Sequence, residues 1–152
     1  MATKLTSTGV LYDDGTTVEN SITATRAIFG YGDNGTTGVV SLTNLVNNYG
    51  AVTTNTTGVG TTRSFLAAAG YGGDKAIFGY GYNGGATRYS LTNLVSNLGV
   101  VGSDVTGVGT ARYGLAAAGY GGDKAIFGYG LGSSGSVSTS NLVSNIWLYL
   151  CP

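Results

Sequence analysis

The chain of 152 residues contains no histidine, one cysteine at its penultimate position, one proline at its last, and charges on only 9% of its residues. Without histidine, the side chain most often used as general base and metal ligand is missing. A single Cys151 excludes an intramolecular disulfide. The seven basic and seven acidic residues cancel and form no run of one sign, so nothing in the sequence marks a nucleic-acid or anionic-membrane partner. Typical soluble domains carry about 25% charged residues; the surface here is therefore built from Thr, Ser, Asn and Gly. No apolar run approaches the roughly 20 residues of a membrane helix, and Met1–Ser7 lacks a signal-peptide core. The chain reads as soluble, in a compartment one terminal cysteine does not reveal.

What is present is repetition. Arg26-Ala-Ile-Phe-Gly-Tyr-Gly32 recurs as Lys75–Gly81 and Lys124–Gly130, a period of 49. Residues 26–74 and 75–123 agree at 32 of 49 positions, which marks duplication of one structural unit; 124–152 is an incomplete third copy, and 1–25 is read as an N-terminal segment and partial first unit. Asn141-Leu-Val143 stands one residue early against Asn44 and Asn93, so the third copy has lost a residue in its turn. The closing Ile146–Pro152, with Trp147 to Cys151, departs from the repeat and reads as a docking strand or a premature stop.

Each unit offers four short apolar runs ended by Gly, Asn or Asp: Ala-Ile-Phe-Gly-Tyr-Gly, Ser-Leu-Thr-Asn-Leu-Val, Thr-Gly-Val-Gly-Thr (57–61 and 106–110) and Leu-Ala-Ala-Ala-Gly-Tyr. These predict four strands per unit. Alanine favours helix at Phe65–Ala69, but the run is short and glycine-bounded, and strand is expected. Gly72-Gly73 and Gly121-Gly122 supply positive φ for tight turns into the next strand. A 40–50-residue repeat of four strands is the signature of a β-propeller, with the alanine run as the crowded inner strand. The expected fold is therefore all-β, with four-stranded antiparallel blades and a ring left incomplete by one chain. Open blade faces imply either a homo-oligomer that completes the ring or a sequence that is a piece of a longer array.

The segment Arg112-Tyr-Gly-Leu-Ala-Ala-Ala-Gly-Tyr-Gly-Gly-Asp-Lys-Ala-Ile-Phe-Gly-Tyr-Gly130 resembles a kelch-type blade, in which an arginine leads through two apolar strands to a pair of glycines. Here a tyrosine interrupts that pair, which is closer to the threonine-rich kelch-like arrays of tailed phages. Leu5–Thr17, an apolar stretch followed by Asp-Gly-Thr-Thr, is similar to a segment of phage tail fibres. The resemblances imply a non-enzymatic structural or adhesive role in a virion appendage, binding a surface glycan or host receptor. Two alternatives are an oligomeric propeller lectin and a cellular kelch-like protein-interaction module.

Candidate binding residues are Tyr31, Tyr80 and Tyr129, which recur once per unit, with Tyr82, Asn83 and Arg88 in the variable turn. Tyrosine joins an apolar ring to a hydroxyl and suits sugar stacking, but a recurring tyrosine is equally a packing position. Arg63 and Arg112 are expected to tie loops by bonding carbonyls. Asp74-Lys75 and Asp123-Lys124 are expected as exposed ion pairs. Gly30–Gly35 lacks the lysine and following helix of a phosphate loop, Asp13, Asp14 and Glu19 lack calcium-loop spacing, and no nucleophile has a base nearby. No catalysis, cofactor or metal is expected.

Overall fold

The structure, a computed structural model, describes residues 26–144 continuously and, N-terminal to them, three short strands. These are β1 (Lys4–Thr6), β2 (Gly9–Leu11) and β3 (Thr17–Glu19), paired in sequence order. Ile146–Pro152 lies outside the described residues. The remaining strands are β4 (Ala27–Asp33), β5 (Val39–Val46), β6 (Ala67–Tyr71), β7 (Lys75–Tyr82), β8 (Arg88–Val95), β9 (Ala116–Tyr120), β10 (Lys124–Gly128), β11 (Leu131–Gly132), β12 (Gly135–Ser136) and β13 (Ser140–Ser144). All described elements are strands, and every ladder is antiparallel.

The sheets β6-β7-β8 and β9-β10-β13 have three strands and β4-β5 has two. They are offset from the sequence repeat, because Ala67–Tyr71 at the end of one repeat pairs with Lys75–Gly79 at the start of the next. Between them Gly72 and Gly73 adopt φ of 63° and 79°, the left-handed turn their lack of Cβ permits. The expectation of four named strands per unit is corrected at one run. Thr57–Thr61 and Thr106–Thr110 form no strand; the backbone just before them touches the sheet through single bridges, Thr43↔Thr56 and Val46↔Val52, then Thr92↔Val105 and Val95↔Val101. The physical reason is close crossing: any Cβ on Gly107 would lie inside the Ser90 carbonyl, and one on Gly58 would strike Ser41. The chain thus reaches the β5 and β8 edges through isolated antiparallel bridges, then packs its glycines against the Ser41 and Ser90 backbone without forming a continuous ladder.

Phe29 faces Asn44, Phe78 faces Asn93 and Phe127 faces Asn141 across their ladders, so the register is the same in all three units. The residue lost from the third unit comes from its turn. Five residues separate Asp33 from Val39 and Tyr82 from Arg88, and four separate Leu131 from Ser136. In each of the first two ladders a single tyrosine, Tyr31 or Tyr80, opposes two residues of its partner strand, a β-bulge. Tyr31, Tyr80 and Tyr129 all take left-handed φ, at 63°, 66° and 61°.

The core lies between units. Tyr31, Phe78, Val95 and Val101 close the first joint; Tyr71, Ile77, Tyr80, Ala125 and Phe127 close the second. The edge strands β6 and β9 approach at their backbones, since a Cβ on Gly119 would collide with the Gly70 carbonyl oxygen. Small residues in the Ala-Ala-Ala-Gly run are what that approach requires.

Candidate functional site

The recurrent tyrosines and arginines meet at the joints. The bulge turns the Tyr31 ring toward the following unit, where the Arg63 guanidinium lies 4.3 Å from its centroid; Arg112 lies 4.0 Å from the Tyr80 centroid in the same way. Each phenol donates to the crossing loop, Tyr31 to the Val59 carbonyl and Tyr80 to the Val108 carbonyl, both at 3.0 Å. Each bulge is also pinned from the backbone, Gly32 N–H donating to the Arg63 carbonyl and Gly81 N–H to that of Arg112. Phe78 meets Tyr31 edge-on at 5.2 Å, and Phe127 meets Tyr80 at 5.5 Å. One joint is thus built twice from the same parts.

Both arginines are fully buried. Arg63 donates through Nε to the Tyr80 carbonyl at 2.7 Å, through one terminal nitrogen to the Thr61 carbonyl at 3.0 Å and through the other to Asn93 Oδ1 at 2.5 Å. The carbonyl-tying role expected from its five donors is the one observed. Asp104 stands 3.8 Å away and accepts from the Thr61 N–H and hydroxyl and from the Asn93 amide. Burial pushes the Asp104 carboxyl up, but these donors and Arg63 outweigh it and hold the group below the usual carboxylate range. Burial draws the Arg63 guanidinium below its ordinary value and raises the Tyr31 and Tyr80 phenols, against the opposing pull of Arg63 and Arg112 respectively. Asp104 is the key residue that inspection of the repeat missed; Asn55 holds its place in the first unit, where it accepts from Asn44. Arg112 has only the Thr110 and Phe127 carbonyls, and its Nε finds no partner among the described residues.

These contacts decide what the recurrent tyrosines can do. Tyr31 and Tyr80 are buried with their rings occupied, and only Tyr129 is open, at 68% exposure. The variable turn differs. Asn83 is spent within it, its Oδ1 accepting from the Gly85 and Thr87 N–H groups, and the Tyr82 hydroxyl donates to the Gly85 carbonyl. The Tyr82 ring stacks on Tyr113 at 4.9 Å, Arg88 stands 5.6 Å over Tyr113, and Phe65 leans on the same ring at 6.0 Å.

Phe65 is 63% exposed yet holds φ at 52°, a conformation glycine favours; Gly114, 49 residues on, occupies the same position at 61°. A bulky residue in left-handed backbone costs about 1–2 kcal/mol. The cluster Phe65, Tyr82, Arg88, Tyr113 is unrepeated: 49 residues from Tyr82 stand Asp33 and Leu131, and 49 before Arg88 stands Val39. Phe65 is its exposed member, while Tyr82, Arg88 and Tyr113 are half-buried beneath it, giving a part-exposed, strained, aromatic and cationic surface suited to a flat ligand with an apolar face and peripheral hydroxyls.

A cleft of about 620 Å³ between the first two units, on the side of Ile28, Leu45, Ala69, Ala76 and Leu98, is lined largely by small and apolar residues. Among the described residues no group of His, Cys, Asp and Glu could hold a metal ion, and no helix is long and apolar enough to cross a membrane. Asp74 and Asp123 pair with Lys75 and Lys124 at 2.8 and 2.6 Å on the surface; each lysine hydrogen bond holds its carboxylate below the ordinary range. No protein-family model and no curated protein matches the chain.

Proposed function

We propose that the protein is a non-enzymatic structural and adhesive repeat protein, built from kelch-like propeller-type blades, that binds a surface glycan through the Phe65–Tyr82–Arg88–Tyr113 cluster. The observation that carries this reading is Phe65, an exposed aromatic ring kept at positive φ where the neighbouring repeat has glycine. Strain of that kind persists where a function uses it. The repeated polar groups are consumed in holding unit to unit, which supports a scaffold and leaves recognition to the unrepeated turn. The single bridges that bring Val101 and Val105 against β8 support a blade-like unit, and the close β6–β9 approach supports units converging on an axis. A sugar ring would stack on Phe65 or Tyr82, with Arg88 donating to its hydroxyls. Placement in a virion appendage rests on the tail-fibre-like Leu5–Thr17 and is tested by whether the gene lies among tail or baseplate genes.

Binding to a glycan array, compared between the unaltered protein and Tyr82→Ala, tests the site. Binding that is lost in Y82A at unchanged melting temperature supports it. No glycan bound at any concentration, or equal binding by both proteins, overturns it.

A further inference from the structure

We propose that the chain joins head to tail with a second copy of itself, the Phe29 ring of one copy seating on Gly128 and Tyr129 of the next. This goes beyond glycan binding and stands or falls independently of it. Every unit carries a knob and a seat. The knob is the phenylalanine of Ala-Ile-Phe-Gly-Tyr-Gly, and the seat is the Gly-Tyr pair that follows it. Phe78 fills the seat of Gly30 and Tyr31; Phe127 fills that of Gly79 and Tyr80. The glycines are part of the seat: a Cβ would stand 3.4 Å from the Phe78 ring on Gly30 and 2.9 Å from the Phe127 ring on Gly79.

Among the described residues one knob and one seat stay unfilled, Phe29 in β4 and Tyr129 after β10. Phe29 is 66% exposed, where Phe78 and Phe127 are 3% and 0%. Tyr129 is 68% exposed, where Tyr31 and Tyr80 are 9% and 2%. On Gly128 an added Cβ would meet nothing within 4 Å. The open seat is nevertheless preformed: Tyr129 and Gly130 hold φ of 61° and 107°, beside 66° and 116° for Tyr80 and Gly81 and 63° and 108° for Tyr31 and Gly32. The unfilled halves are therefore those of an interface the molecule already builds twice within itself, and a second copy supplies the matching half.

The joint between copies differs from the internal ones in one respect. Arg63 and Arg112 cover the internal tyrosines, and 49 residues before Arg63 stands Asp14. No arginine comes with the Phe29 knob at that position, so copies dissociate on dilution while the internal joints hold. A joint of unlike halves propagates, giving a closed ring where the rotation per chain closes and a linear series where it does not.

Sedimentation velocity or light scattering across a wide concentration range tests this with two variants. Phe29→Thr keeps a strand-favouring residue at an exposed position, and Tyr129→Asn keeps one that tolerates positive φ. Circular dichroism confirms that each remains folded. The unaltered chain is expected to form concentration-dependent species above 15.3 kDa, and each variant alone to remain monomeric. Mixed in equal amounts, the open Tyr129 seat of F29T accepts the Phe29 knob of Y129N, giving a dimer and nothing larger. A monomeric unaltered chain at all concentrations overturns the proposal. So does association that persists undiminished in either variant, which would assign it to sheet edges, or a mixture that does not dimerise.

Discussion

Replacing Arg63 or Arg112 by methionine asks the same question of two copies of one joint, and the structure predicts unequal answers. Methionine retains a flexible apolar stem and removes the guanidinium. At Arg63 the loss includes three hydrogen bonds to the Tyr80 and Thr61 carbonyls and to Asn93, the 4.3 Å contact with the Tyr31 ring, and the attraction of Asp104. Asn93 Oδ1 is then left without its donor at a fully buried residue. Hydrogen bonds to charged groups contribute about 1.5–3 kcal/mol each, and a stranded buried acceptor costs about 1–3. Such terms do not add; with Arg63 fully buried and Asp104 26% exposed, the combined loss is about 4 kcal/mol, chiefly from the three hydrogen bonds and the stranded Asn93 acceptor. Among the described residues Arg112 has two hydrogen bonds, one at 3.4 Å, no carboxylate within ion-pair distance, and an Nε already unpaired. Its loss is worth about 2 kcal/mol, chiefly from the Thr110 bond and the contact with Tyr80. Urea midpoints at unchanged slope should therefore place R63M about 2 kcal/mol below R112M, or about 4–8 °C lower in melting temperature for a chain of this size. Equal destabilisation, or a larger effect at Arg112, would refute the claim that the Asn93–Asp104 network makes the first joint the stronger.

Other consequences are equally direct. Because the folded Asp104 carboxyl is held low, its contribution to stability is complete above the ordinary carboxylate value near 4 and is lost as pH falls through the lowered folded value. Asp104→Asn should therefore lose less stability between pH 5 and pH 2.5 than the unaltered protein, and parallel losses in urea titrations would discount the carboxylate. Phe65→Gly should raise the melting temperature by relieving about 1 kcal/mol of backbone strain while abolishing glycan binding, and a lowered melting temperature would show that the ring packs more than it strains. Gly107→Ala should cost about 3 kcal/mol or more because its Cβ overlaps the Ser90 carbonyl, whereas Gly102→Ala, whose Cβ lies 3.4 Å from the Leu94 carbonyl oxygen, should cost far less. Similar urea midpoints for those two variants would contradict the close crossing.

Much of the architecture was legible because repetition and glycine are local signals. Ala67–Tyr71, Gly72-Gly73 and the strand after them emerge as β6, its turn and β7, and the early Asn141 marked a turn shortened without loss of register. Thr57–Thr61 misled because its Thr-Val alternation has strand composition, while its glycines serve a backbone crossing that only the assembled sheet reveals. Recurrence favours packing over a sugar platform for Tyr31 and Tyr80 but does not place them; their positive φ, invisible in composition, turns them into the joint. Asp104 was hidden for a related reason. Its partners lie 43 residues back at Thr61 and 11 back at Asn93, a convergence no single repeat displays. The Phe65 cluster also crosses the repeat frame, drawing one residue before β6, two from the β7–β8 hairpin and one before β9.

The bulge has a consequence for how such a chain can diversify. Because each tyrosine and its two opposed residues separate the hairpin tip from the Phe–Asn ladder, the third unit sheds a residue at the tip while Phe127 still faces Asn141. The tips at 34–38, 83–87 and 132–135 are thereby mechanically insulated from the faces that join unit to unit. Sequence drift, insertion or deliberate grafting of a foreign loop can be absorbed there one hairpin at a time, so the fold serves as a rack whose hooks are exchangeable and whose frame is not.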